Sequence, residues 1–364
     1  MKTLCFIIYS IFLFTFVNSQ EVEHINPDTL QKYTDLSEVS DTIPGLNFFD
    51  VSETLKITLK YDISAFIKNK KEGEYLDAVL EIHYVDQEPV VKNIRLKVRG
   101  NFRRGQCYFP PIYLNFKTDP IKKTELKGTK RIKIVTHCVH SKASQNYILR
   151  EFLAYKMYNV LTPLSFRVRL LDIDYIDTGK KQKEYHEYGF AIEPLELVAQ
   201  RNKAVVIDPK LVRAENILEE SADRVSLFEY MIGNTDWRFN SGHNIRYLKS
   251  LDELSDKVNA VPYDFDFTGF VNTSYSFPQE WTSIDNVRQR EYLGYCRSND
   301  SNYLETIKLF EGKKNEIVQT ISSFPNIGEK EKKYLISYIN EFNSLLSKPN
   351  NFIITLKREC RTNF

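Results

Sequence analysis

The sequence predicts an α+β chain of two lobes, β-rich first and mainly helical after it. Three observations carry this. Residues 51–117 hold successive alternating stretches, helical periodicity first becomes strong at 144–161, and it dominates beyond residue 194. "VSETLKITLKYDI", "YLDAVLEIHYVD" and "VVKNIRLKVRG" alternate apolar and polar residues, as half-buried strands do. "CYFPPIYLNFK" and "TKRIKIVTHC" add two more strands. In "SQNYILREFLAYKMYNVL", Ile148, Leu149, Phe152, Leu153, Tyr155 and Met157 recur at helical spacing, with Ser144 as the expected cap and Pro163 beyond the end. Strands return in "FRVRLLDIDYID" and "YHEYGFAIEPLE". Helical periodicity follows at 194–202, 222–233, 302–323 and 329–347. Between these helices "HNIRYLKS" and "NAVPYDFDF" read as a short strand pair. No internal repeat or low-complexity tract interrupts the pattern.

The expected organisation is therefore a signal peptide at 1–19, a polar leader at 20–50, a β-rich N-lobe with one main helix at 51–193, and a helical C-lobe at 194–364. The first twenty residues, "MKTLCFIIYSIFLFTFVNSQ", pair Lys2 with an apolar run and the small Ser19, the pattern of an export signal. The run from Leu4 to Val17 is short for a membrane span, which needs about 20 residues. The expectation is a secreted or extracytoplasmic protein with no span after cleavage. A net charge of +2 gives no basic field for nucleic acid. Without Cys5, four cysteines remain: Cys107, Cys138, Cys296 and Cys360. Four allow three pairings, and an exported chain favours disulfides. Cys107–Cys138 and Cys296–Cys360, one in each half, are expected.

The stretches "FEYMIGNTDWRFNSGHNIRYL" and "VPYDFDFTG" carry the chemistry. Asp236 follows an apolar helix and opens a loop. Asn244 closes that loop into a strand. Asp264 and Asp266 follow the next strand, where an unpaired buried carboxylate would be costly. Singly, each is a common turn former or cap. In this order they match what phosphoryl transfer needs: a carboxylate for the nucleophile's proton, then oxygen ligands for Mg²⁺. Asn240 is nearer to Asp236 in sequence, but Asn244 leads directly into the strand and is preferred. His137 and His140 have a metal-like spacing without a supporting cluster, and His243 is expected to shape the loop. No G-x-S-x-G motif indicates a serine hydrolase.

These residues, with "LKVRGNFRR", "ILREFLAYKMYNVLTPLSFRVRLLDI" and "EYGFAIEPLE", give the chain a resemblance to the CotH-type family of secreted, atypical kinase-like proteins. The resemblance covers roughly residues 95–275. It implies a bilobal protein-kinase-like fold that binds ATP with Mg²⁺ or Mn²⁺ and phosphorylates an exported protein. It makes Asp236 the catalytic aspartate and Asn244, Asp264 and Asp266 metal ligands; which of the two acids in "PYDFD" takes the metal stays open. It puts Glu193 in the strand joining the lobes, near adenine. By strand and helix order, Lys117 and Glu151 are the expected lysine–glutamate pair at the phosphates, and Arg99 beside Gly100 is expected to face the nucleotide. A catalytically inactive kinase-like scaffold or surface-binding protein is the alternative. A metal-dependent phosphoesterase would need more histidine and aspartate ligands than this pattern supplies.

Overall fold

Alternation in the first half builds strands whose inward faces close a barrel. The computed structural model describes residues 47–117, 126–127, 129–252 and 255–362; the expected signal peptide and nearly all of the polar leader lie outside them. Strands β1 (Leu55–Tyr61), β2 (Tyr75–His83), β3 (Val90–Val98), β4 (Ile112–Asn115), β5 (Arg131–Val135), β6 (Val168–Asp177) and β7 (Glu184–Ile192) join in the order β1-β2-β3-β4-β5-β7-β6. All neighbours are antiparallel except β1 and β6, whose parallel pairing closes the ring from Leu55–Leu171 to Tyr61–Asp177. Leu59, Leu80, Leu96, Ile132, Ile134 and Ile173 fill the interior. Closure spares the sheet an open edge.

Three helices interrupt the strands. α1 (Ile63–Lys68) is capped by Asp62, and α2 (Phe102–Gln106) lies between β3 and β4. The long α3 (Lys142–Leu161) follows β5. Its N-cap is Ser141, which accepts from the Ser144 amide; Ser144 instead lies in the first turn and takes the Cys138 and Val139 amides on its hydroxyl. The expected cap is thus one turn too late, because Lys142 and Ala143 continue the helix toward its start.

The second half supplies α4 (Leu195–Arg201), α5 (Glu219–Ile232), α6 (Asp300–Ser322), α7 (Glu329–Leu346) and α8 (Pro349–Glu359). A three-stranded sheet of order β10-β9-β8 sits among them, from β8 (Ala204–Ile207), β9 (Ile245–Ser250) and β10 (Asn259–Pro262). α3 packs on α6, and α5 packs on both α6 and β10, around a large core centred on Phe228, Phe265, Phe270 and Tyr338. Arg150 ties α3 to α7 by pairing with Glu331 and donating to the Val271 carbonyl at 2.7 Å. Both expected disulfides are present, Cys107–Cys138 and Cys296–Cys360.

Two glycines let the segments around the acids meet. Gly233 ends α5 at φ 66°, in the left-handed region. Gly269 donates to the Gly233 carbonyl at 2.9 Å. A Cβ on Gly269 would lie 2.2 Å from the Val287 carbonyl oxygen and 2.5 Å from the Tyr338 hydroxyl. Gly269→Ala is therefore expected to lower stability by about 1–3 kcal/mol, the range of core overpacking. Urea denaturation checks it, and an unchanged midpoint would show that the 264–270 segment has room to move.

Candidate functional site

The loop after α5 is held shut from inside. Asn234 donates to the buried Glu229 carboxylate at 2.9 Å, accepts the Asp236 amide at 2.9 Å, and its carbonyl takes the indole N–H of buried Trp237 at 3.2 Å. Arg238 and His243 pair across the loop, with the Arg238 amide donating to the His243 carbonyl at 3.1 Å. That pairing folds residues 236–244 back and sets Asn244 against Asp236. The Asn244 amide donates to the Asp236 carbonyl at 2.7 Å and to its Oδ2 at 3.1 Å. His243 Nε2 meets Asp236 Oδ1 at 3.0 Å, and this hydrogen bond raises the imidazole pKa above its ordinary value. Asn240 is exposed and lines a different hollow, with Trp237, Trp281 and Tyr295.

β9 and β10 carry the chain from Asn244 to the second pair of acids. The Tyr263 amide returns to the Asn244 carbonyl at 3.0 Å. Asn244 and Asp264 both adopt positive φ, 55° and 68°. Non-glycine residues rarely do so, and such strain gathers at functional sites. The Asp264 backbone amide donates to the hydroxyl of buried Tyr155, on α3, at 2.9 Å. Asp266 is 5% exposed and takes the Tyr275 hydroxyl on Oδ2 at 2.9 Å. Burial, then repulsion from Asp264, raises Asp266 to about 7, against the pull of Arg103.

Glu151 faces the same cluster from α3. Burial, then the charges of Asp266 and Asp264, push it well above the carboxylate range. Its partner is not Lys117. Lys117 is exposed at the end of β4, where its amide bonds the Asn115 side chain. The cation at Glu151 is Arg103 on α2, with Nη1 3.5 Å from Oε2. Burial alone would lower Arg103; Tyr275, Glu151, Asp266 and Asp264 together hold it charged. The expected lysine–glutamate pair is thus an arginine–glutamate pair, because β4 is not the strand that precedes α3.

That strand is β5, and it carries Lys133. Burial lowers Lys133 to about 8, and the neighbouring charges of Arg99 and Arg246 push the same way, opposed by Glu196 on α4. Arg99 follows β3 and Arg246 lies on β9, so barrel and second-half sheet both contribute. Among the described residues none of the three is ion-paired; Arg246 stacks on Tyr263 at 4.3 Å. Sequence reasoning missed Lys133, although a lysine on the strand directly before the helix was the available signal. Glu193, expected near adenine, is wholly buried just past β7. Its carboxylate is taken by Arg167 and Arg201, and its amide donates to the Arg167 carbonyl. A cavity of about 620 Å³ lies elsewhere, lined by α3, β6 and α6, and none of Glu151, Asp236, Asp264 and Asp266 lines it.

Acids that repel one another and cations that repel one another thus occupy neighbouring walls, linked by Arg103 and Arg99, both of which act on Glu151. Among the described residues no three His, Cys, Asp or Glu side chains stand close enough to hold a metal by themselves. Two carboxylates and an asparagine fit Mg²⁺, which keeps few protein ligands and completes its shell with water and phosphate oxygens. The Asn244 amide nitrogen is spent on Asp236, which leaves its carbonyl oxygen for a cation.

No family model matches the chain, and no curated protein matches it. Among solved structures, a Helicobacter pylori proinflammatory kinase, CtkA, is similar at 13% identity, covering 76% of this chain and 91% of that one, with a TM-score of 0.36. A likeness that loose carries no argument about the chemistry of the acid cluster.

Glu229 gives a pH test of the loop's foundation. Burial raises it to about 8 from 4.5. The folded state therefore keeps its proton where the unfolded chain has lost it. That contribution is intact below pH 4.5 and disappears as pH rises toward 8. Glu229→Gln should match the parent near pH 4.5 and exceed it by about 2–4 kcal/mol at pH 8, given about 1.36 kcal/mol per unit. Urea midpoints at the two pH values measure this, and a constant difference would contradict it.

Proposed function

We propose that the chain is an exported kinase-like protein that binds ATP with Mg²⁺ or Mn²⁺ and transfers the γ-phosphoryl group to a protein hydroxyl. One observation supports this above the others. A wall of acids, Asp236, Asp264, Asp266 and Glu151, adjoins three cations, Arg99, Lys133 and Arg246, that have no ion-pair partner among the described residues. A triphosphate with its divalent metal carries both charges, and so relieves both walls at once. A free metal ion would leave the cations unrelieved.

In this reading Lys133, Arg99 and Arg246 receive phosphate oxygens. Asn244 and Asp264 hold the metal, with Asp266 beside them. Bound there, the metal neutralises charge on the phosphates as it develops. Asp236 accepts the proton of the attacking hydroxyl while its oxygen bonds to the γ-phosphorus and the bond to the bridging β,γ oxygen breaks. The His243 and Asn244 hydrogen bonds hold that carboxylate in place. Assignment to the CotH-type family belongs to this proposal and rests on the quoted motifs. Export rests on the N-terminal pattern and is compatible with the two disulfides.

A second reading, a kinase-like binding or scaffold protein without turnover, has one observation in its favour. Glu151 meets an arginine where phosphoryl transfer normally employs a lysine. Calorimetry of ATP with and without Mg²⁺ or Mn²⁺ separates the cases from no nucleotide site at all. Metal-dependent binding is expected in the parent, and binding weaker by about tenfold or more in Asp264→Ala, a loss of one charged metal ligand. Asp236→Ala should still bind but lose about 10²–10⁴-fold in transfer, the worth of a general base. Binding indifferent to metal and to Asp264 would overturn the assignment; binding without transfer in the parent would favour the scaffold.

A further inference from the structure

α2 has only five residues and no side-chain N-cap bond, too short to be stable alone. Its position comes from what it touches. Phe102 packs on Phe267 at 5.1 Å and Tyr275 at 5.8 Å, on the segment that follows Asp266. Arg103, its one buried residue, reaches Glu151 and the Thr136 carbonyl. Cys107 ends the helix, with its amide on the Arg103 carbonyl at 2.8 Å and its sulfur joined to Cys138. Cys138 stands two residues past Thr136 and three before the α3 cap, and its carbonyl takes the Phe109 amide at 3.0 Å. The disulfide therefore binds the base of α2 to the strand end that receives Arg103 and to the start of the helix that carries Glu151.

We propose that Arg103 is a positioning residue: it holds Glu151 facing the cleft while its neighbour Phe102 packs on the segment that follows Asp266, and the Cys107–Cys138 disulfide keeps both there. The inference deepens the kinase-like reading of the cleft and rests on it. A buried guanidinium among carboxylates is costly to remove, since the acids are left uncompensated. Its planar fork also reaches two partners at once, which a lysine ammonium does less well. Arg103 does so here, bridging a carbonyl on the barrel and a carboxylate on α3. The disulfide restricts α2 where its own hydrogen bonds do not. Formation of the cleft is thereby tied to oxidation of one cysteine pair, so the site matures only where disulfides persist.

The test compares the parent with Arg103→Gln, Arg103→Lys and the double variant Cys107→Ser, Cys138→Ser. Hydrogen exchange, followed by mass spectrometry without ligand, reports residues 148–157 and 263–277 directly; ATP–Mg²⁺ calorimetry reports the cleft. Arg103→Gln and the cysteine variant should exchange about tenfold faster or more in both segments, with α7 unchanged. Arg103→Lys should recover part of the protection and of the nucleotide binding, a rescue that filler volume alone would not give. Parent-like exchange in the cysteine variant overturns the role of the disulfide, and equal behaviour of the lysine and glutamine variants overturns the role of the charge. Should Arg103→Gln fail to fold, folding of Arg103→Lys with part of the parent's protection supports the role of the charge, failure of both overturns it, and the cysteine variant still tests the disulfide. Faster exchange in a chain whose parent binds no ATP would leave the positioning role standing and remove the nucleotide reading.

Discussion

The site depends on carboxylates gathered where water is scarce, so that burial and mutual repulsion push Glu151 and Asp266 toward their protonated forms. Glu151 and Asp266 are almost wholly buried, Asp264 is half-buried between them, and one guanidinium, Arg103, stands in their midst. Desolvation and mutual repulsion both oppose ionisation of Glu151 and Asp266, so these acids are poised to accept positive charge. A core built for stability alone would not gather like charges, because well-packed apolar residues serve as well or better. The arrangement is costly, and perturbed groups of this kind concentrate at functional sites.

The rest of the chain is arranged around that cost. The barrel gives Arg99 and Lys133 a rigid base, α3 delivers Glu151 and Tyr155 from one side, and the β9–β10 pair delivers Asn244 and Asp264 from the other. Glu229, kept protonated by burial, anchors Asn234 and through it the loop bearing Asp236. Gly233 and Gly269 let the backbones of the two acidic segments touch. The acids are thus fixed by buried contacts before any ligand arrives, which suits a site that must bind charge without reorganising.

Local patterns made much of this legible in the sequence. Alternation marked β1 to β3, and the 3.6-residue period marked α3, α6 and α7, because each reports burial of one face by its own spacing. The β9–β10 pair and the Asp–Asn–Asp order followed from strands bounded by turn residues. Barrel closure did not follow, since β1 pairs with β6 across more than a hundred residues and parallel pairing leaves no hairpin signal. β8, at four residues, was too short to stand out, and α8 was missed although it is longer than α4. Lys117 was chosen because it ends a strand ahead of the helix that carries Glu151, and order alone passed over Lys133 on the strand in between. Arg103 lay within the quoted "LKVRGNFRR", but nothing local singled it out; only the folded chain brings it to Glu151, 48 positions away.

Whether a metal binds with nucleotide, and where, would decide between these readings of the acid cluster. Crystals of the chain from residue 20 onward, grown with Mn²⁺ and a non-hydrolysable ATP analogue, would reveal manganese by anomalous scattering. Manganese is expected in contact with the Asp264 carboxylate and Asn244 or Asp266, with the phosphates turned toward Lys133 and Arg246. Nucleotide and manganese bound elsewhere, or absent from a well-ordered acid cluster, would contradict a phosphoryl-transfer site at these residues.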